Sequence, residues 1–393
     1  MPAPTITTDA LTGLARAILT NTAGAPATDL GELILHGVDP PAAAAPTQRI
    51  GLGPTGLGTS AAREFAPKPV PELFCPAALR DDPVLGDEVD ERLVAWAEQI
   101  GIYPGRLDRL RRCGFGRFMM LSHPATSDPD RLLAATKCLV AEWAADDYYV
   151  DEVALGADPK VVGSRLAKLH AVVDPAQLPA RYAADLNDHH RLEPISVAFR
   201  RAMEHLAQYA SVTQLARFQH QMAILFLAWS QEADWHANRR TPPVWEYLVQ
   251  RHLNSYLPPM ILVDVLAGYE LPPQEFYHPQ FRRALTLAGN ANVLINDLYS
   301  GPAESETDFN LPVVLMANEG CNRREAIVRT VEIHNELMHT FVTLATGLSA
   351  TGSPAMRRFL ADIWAWLGGS REWHATTGRY HEAAGPIRKE PMT

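Results

Sequence analysis

An all-helical fold is what the sequence predicts, and three observations carry that expectation. Apolar residues recur three or four apart through most of the chain beyond residue 74. No stretch sustains the alternation that a half-buried strand needs. Gly and Pro clusters such as "RRTPP", "GYELPP" and "LATGLSATGSP" punctuate the gaps between the periodic segments.

Taken in order, residues 87–100 read as the first helix, with Val89, Leu93, Trp96 and Ile100 on one face. Residues 132–147 follow, carrying Leu133, Thr136, Leu139, Val140 and Trp143 at helical spacing. Further helices are expected at 195–208, 212–234, 243–256, 260–268, 281–300, 323–346 and 355–366. No glycine-rich phosphate fingerprint follows a plausible strand, and internal repeats are not apparent. One helical bundle domain spanning residues 74–386, followed by a 387–393 tail, is the economical organisation. Residues 1–73 differ in texture. The stretch "VDPPAAAAPTQRIGLGPTGLGTSAAREFAPKPVPE" is rich in Pro, Gly, Ala and Thr and cannot bury enough apolar area to offset the entropy of ordering it. A disordered extension or tether is expected, and "GLGPTGLGTS" is its candidate docking arm.

Across 393 residues, 35 Lys and Arg face 45 Asp and Glu, a formal net charge of −10. That balance argues against nucleic-acid binding. Cys75, Cys113, Cys138 and Cys321 are scattered without metal-ligand or disulfide spacing, which suits a reducing compartment. The N-terminus "MPAPTITTDALTGLARAIL" lacks the basic start of a secretory signal. Apolar runs such as "MAILFLAW" are too short to span a bilayer. A soluble cytoplasmic protein without a membrane partner is the expectation.

Two polar clusters carry the chemistry. In "NDLYSGPAE", Asn296, Ser300 and Glu304 drift only about 40° per four-residue helical step, so they share one face. Amide, hydroxyl and carboxylate oxygens are the hard ligands that Mg²⁺ prefers, particularly beside a phosphate. Asp297 points about 100° away and reads as a surface charge or a supporting acceptor. In "AEWAADDYYVDE", Asp146, Asp147, Asp151 and Glu152 crowd the end of an apolar helix. A hydrated acidic helix end would account for them equally well. Together the clusters suggest one site in which Mg²⁺ ions neutralise a phosphate or diphosphate. Arg251, Arg379 and Tyr380 could donate to the same anion. Trp143, Phe226, Trp229, Trp364 and Trp366 read as core packing or as walls that stabilise a cation.

At these residues the chain resembles the bacterial class I terpene synthases. "DDYYVDE" at 146–152 matches the family's aspartate motif, and Asn296, Ser300 and Glu304 match its second motif. The resemblance covers residues 74–386. It implies an isoprenoid diphosphate substrate and three Mg²⁺ ions per active site, with metal ligands drawn from Asp146, Asp147, Asp151, Asn296, Ser300 and Glu304. It gives Arg251 the diphosphate-sensing role, Asn254 and Ser255 the linker and effector positions at a helix break, and Arg379 with Tyr380 the closing pair after Trp373. Segments such as "HPATSDPDRLLAATKCLVAEWAADDYYVDE" and "RRTPPVWEYL" resemble the branch that cyclises 2-methylgeranyl diphosphate. That branch captures the resulting bornyl-type cation with water, whereas proton loss would give 2-methylenebornane. A homodimer is common in the family. Some similar proteins are encapsulin cargo through their N-terminal extension, here Gly51 to Ala62. Two departures stand out. Pro302 after Gly301 should kink the helix before Glu304, and His252 stands where many relatives have a second arginine. The competing readings are a chain-elongating prenyltransferase and a non-catalytic helical scaffold.

Overall fold

The computed structural model of the protein describes residues 71–151, 155–301 and 309–381, and among them every regular element is helical. α1 (Pro83–Ile100) starts where Asp82 accepts from the Leu85 amide and stops at Gly101, whose φ of 79° a side chain would strain. α2 (Leu107–Cys113) and α3 (Phe115–Ser122) follow. α4 (Pro129–Asp146) begins at the Asp128 cap and runs into a π-helical turn, Asp147–Asp151. Next come α5 (Val162–Val173), α6 (Ala180–Leu192), α7 (Pro194–Leu206) and the long α8 (Val212–Asn238). α9 (Val244–Leu253) breaks at Asn254 and leads into three short helices, α10 (Leu257–Met260), α11 (Val263–Leu266) and α12 (Pro273–Phe276). α13 (Pro279–Ser300), α14 (Leu311–Glu319), α15 (Arg323–Thr351), α16 (Pro354–Thr376) and α17 (Gly378–His381) complete the bundle.

The expected helices are present, with the 260–268 segment split in two. The four-residue α12 and α17 went unpredicted, and five longer helices did so for distinct reasons. α2 is a single short amphipathic stretch between glycine stops. α3 is buried at every position but Arg117 and, at eight residues, is too short to declare a stripe. α6 has the opposite problem: His190 is its only buried residue. α5 does carry a legible pattern in Val162, Leu166, Leu169 and Val173. α14 is a short helix capped by Asn310, with Gly320 at its end.

The main layers are α13 along α15, α4 on α7, and α3 between α1 and α16. The α16 contact required more than the 355–366 segment foreseen, since the helix continues through Gly368 and Gly369. A Cβ on Gly368 would lie 2.4 Å from the Ala77 carbonyl oxygen, and one on Gly369 would lie 2.4 Å from the Leu121 carbonyl carbon. These glycines are not a stop; they let α3 and the 71–79 segment press onto α16. Phe118 and Trp373 stack across that contact with ring centroids 4.5 Å apart. All four cysteines are free thiols. Among the described residues no helix is long and apolar enough to cross a membrane.

Candidate active site

The C-terminal turn α17 bridges the end of α4 and the end of α13. Arg379 donates from Nη2 to Asp147 Oδ1 at 3.3 Å, and its guanidinium lies 4.0 Å from the centre of the Trp143 ring. The next residue, Tyr380, accepts a hydrogen bond from Asn296 Nδ2 at 2.8 Å. One short turn therefore touches both polar motifs, and the two clusters belong to one place.

Asp146 feels that convergence electrostatically. Burial raises its carboxyl well above the ordinary range, the charges of Glu232 and Asp147 raise it further, and Arg379 and Arg251 oppose them. Glu232, on α8, was not anticipated. Its own carboxyl is raised by burial and held down by Arg251. It accepts from Gln250 Nε2 at 3.0 Å and from Asn254 Nδ2 at 3.5 Å. A carboxylate three residues beyond Trp229 on an apolar helix was the available signal.

Asp147 has both oxygens engaged, one by Arg379 and the other by the Tyr103 hydroxyl at 2.7 Å. It holds Arg379 over Trp143. The π-helical turn that begins here re-spaces the following residues, because i→i+5 bonding widens the turn. The side chain of Asp151 and all of Glu304 lie outside the described residues, as does Pro302 with its expected kink. α13 ends at Ser300.

Ser300 is buried and donates its hydroxyl proton to the Asn296 carbonyl oxygen at 2.8 Å. Its oxygen lone pairs are thereby left to accept. Of its two readings Asp297 takes that of supporting acceptor, not surface charge. It is buried and accepts from Arg251 Nη2 at 2.7 Å, the Tyr247 hydroxyl at 2.8 Å and the Leu311 amide at 3.0 Å. Arg251 also donates from Nε to the Tyr247 oxygen at 2.7 Å. This buried cluster fixes the guanidinium at the α9–α13 junction. His252, half-buried, has its imidazole pushed down by burial and by Arg282, so it adds little positive charge.

Asn254 and Ser255 sit at the break after α9, as expected. Gly289 makes room for that break, since a Cβ there would lie 2.9 Å from Leu257 and 3.4 Å from Ser255 Oγ. Trp143 and Trp373 meet edge to face at 5.7 Å, and Trp373 meets Tyr380 at 5.9 Å, forming one wall. Phe226 and Trp229 pack together at 5.6 Å on α8, with Phe199 against Phe226. Trp366 reaches Tyr256 at 6.0 Å. Trp364 is not brought to this cluster; its ring packs between Phe74 and Phe341.

Among the described residues no three His, Cys, Asp or Glu side chains form a metal cage. Asp146, Asn296 and Ser300 carry hard oxygens on one carboxylate, one amide and one hydroxyl, and the charges of Glu232 and Asp147 press on Asp146. That set fits Mg²⁺, which keeps several waters and takes few protein ligands when phosphate supplies others.

A helical bundle with this two-motif site is the architecture of a class I terpene synthase. The profile described as "Terpene synthase family 2, C-terminal metal binding" matches residues 137–340, and the chain belongs to that family. A 2-methylisoborneol synthase of Streptomyces ambofaciens is 36% identical over 363 residues, spanning 85% of this chain and 81% of that protein. Another, from Saccharopolyspora erythraea, is 36% identical over 317 residues, 78% of this chain and 89% of the relative. The crystal structure of 2-methylisoborneol synthase from Streptomyces coelicolor A3(2) in complex with Mg²⁺ and 2-fluoroneryl diphosphate superposes with a TM-score of 0.76 at 34% identity. It covers 81% of this chain and 99% of that one.

Proposed function

We propose that the protein ionises and cyclises 2-methylgeranyl diphosphate and captures the final cation with water, giving 2-methylisoborneol and diphosphate. The observation that carries this reading is the α17 turn, where Arg379 engages the aspartate motif and Tyr380 engages Asn296. The similarity of most of the chain to 2-methylisoborneol synthases supports the choice of substrate.

Asp146, Asn296 and Ser300 would hold Mg²⁺, with Asp151 and Glu304 as further donors. Bound Mg²⁺ supplies charge neutralisation of the diphosphate leaving group. Arg251 is held by Asp297 and Tyr247, so its guanidinium is pre-positioned for the anion at little entropic cost. Arg379 and Tyr380 close over the same anion from the C-terminal turn. Trp143, Trp373 and, on α8, Phe226 and Trp229 present aromatic faces to an allylic cation. Closure excludes bulk water that would otherwise quench the cation early. Glu232 ties Asn254 and Gln250 to the site and so anchors the helix break beneath the diphosphate.

Gas chromatography with mass spectrometry after incubation with geranyl and 2-methylgeranyl diphosphates tests the assignment. A dominant alcohol from the methylated substrate is expected. 2-Methylenebornane would mean proton loss in place of water capture, longer diphosphates would mean chain elongation, and preference for geranyl diphosphate would refute the substrate.

The lines that concern assembly are separate proposals. A cytoplasmic homodimer is tested by sedimentation of the full chain. Residues 1–70 are proposed as a tether that loads the enzyme into an encapsulin shell. Retained catalysis with lost shell loading after their deletion supports this, and loss of catalysis contradicts it.

A further inference from the structure

The buried face of α16 contains a hydrogen-bond chain whose direction is set at one end. His374 Nδ1 lies 2.8 Å from the Ser370 carbonyl oxygen. A carbonyl can only accept, so Nδ1 carries the proton and Nε2 is a bare acceptor. The Tyr256 hydroxyl lies 3.1 Å from Nε2 and must therefore donate to it. The same Nε2 lies 3.5 Å from Asn296 Nδ2, which also donates to the Tyr380 hydroxyl at 2.8 Å. An acceptor at Nε2 therefore faces the nitrogen end of the Asn296 amide.

An amide has two distinguishable ends. With its nitrogen drawn to Tyr380 and His374, the carbonyl oxygen of Asn296 is turned the other way. The opposite orientation would set a carbonyl oxygen against the Nε2 lone pair. We propose that His374 is a positioning residue, which uses its Nε2 lone pair to offer the oxygen of Asn296, and not its NH₂ group, to a divalent cation. This rests on the reading of Asn296 as a metal ligand. It also links Tyr256, next to Ser255 at the helix break, to the metal helix through His374 Nε2. Nothing in the linear motifs marks His374, which is fully buried. Its ring lies parallel to Tyr380 at 5.9 Å and edge-on to Trp373 at 4.9 Å, so phenylalanine can fill its place while removing the acceptor.

The test is Mn²⁺ binding to the full chain in the presence of inorganic pyrophosphate, followed by electron paramagnetic resonance. Asn296→Ala should weaken binding; unchanged affinity would overturn the ligand reading and this proposal with it. His374→Phe should weaken binding about tenfold, as loss of a group that orients a metal ligand does. In an Asn296→Asp background both ends of the side chain are oxygen, and orientation no longer matters. Adding His374→Phe there should change affinity less than about twofold, a difference of well under the loss expected of an orienting partner. If Asn296→Ala weakens binding but His374→Phe does not, the positioning role is refuted while the ligand stands. An equal loss from His374→Phe in both backgrounds marks a merely structural role and also refutes it. Should circular dichroism show that His374→Phe does not fold, His374→Leu also lacks the acceptor and is held to the same two-background comparison.

Discussion

Replacing Asp297 with alanine should cost more stability than any change of a surface carboxylate. The Asp297 side chain is 0% exposed and that of Arg251 only 11%. The substitution strips the buried guanidinium of the carboxylate it bonds and takes from the Tyr247 hydroxyl and the Leu311 amide their nearer acceptor. Removing one partner of a buried ion pair costs about 3–5 kcal/mol, most of it the desolvation of the charge left behind. An unfolding entropy of about 2.1 cal/mol/K per residue over roughly 300 folded residues gives about 0.6 kcal/mol/K, so the loss corresponds to about 5–8 °C in Tm. Differential scanning calorimetry of the isolated protein reads this directly. Asp297→Asn keeps the shape and one acceptor oxygen and should lose less. A Tm for Asp297→Ala within about 2 °C of wild type, roughly 1 kcal/mol by the same conversion, would refute the claim that Asp297 anchors Arg251.

Gly369→Ala sets a methyl group 2.4 Å from the Leu121 backbone, which cannot rotate away as a side chain could. Thermal melting should show a loss of about 1–3 kcal/mol, and a neutral change would mean that α3 can shift freely. Burial pushes the His123 imidazole down from 6.5 to about 3, so only the unfolded chain takes up that proton as pH falls. Stability contributed by this group is complete above about 6.5 and declines toward about 3, by up to about 1.4 kcal/mol per pH unit. Urea titrations at pH 6.5 and 5 should show a shallower decline for His123→Leu, and an unchanged slope would contradict the assignment. Deletion of residues 1–70 should leave the melting temperature unaltered. Deletion through residue 78 should lower it, because Phe74 donates to Asn335 Oδ1 at 2.8 Å and stacks on His339; equal melting of the two forms would refute that anchoring.

The helices and both polar motifs were legible because each is a local pattern. Val89 to Ile100 declares a face, and Asn296 with Ser300 declares a ligand spacing, without reference to the rest of the chain. What stayed hidden depends on partners distant in sequence. Asp297 stayed open between a surface charge and a supporting acceptor because Arg251 and Tyr247 arrive from α9, and Glu232 drew no reading because Asn254 and Gln250 arrive from elsewhere. The expected 355–366 helix ended short of Gly368 and Gly369, since only the neighbouring backbone shows that they serve close packing. The hold of Asp147 on Tyr103 and Arg379 was hidden as well, because those partners lie 44 and 232 residues away. The π-helical turn at Asp147–Asp151 has no residue signature at all.

A crystal structure of the protein soaked with Mg²⁺ and inorganic pyrophosphate bears most directly on the central claim. The account predicts metal density bonded to Asp146 from α4 and to Asn296 and Ser300 from α13, around a single pyrophosphate that Arg251 and Arg379 also touch. Pyrophosphate bound without one of the two helices, or metal at Asp146 that Asn296 does not share, would contradict it.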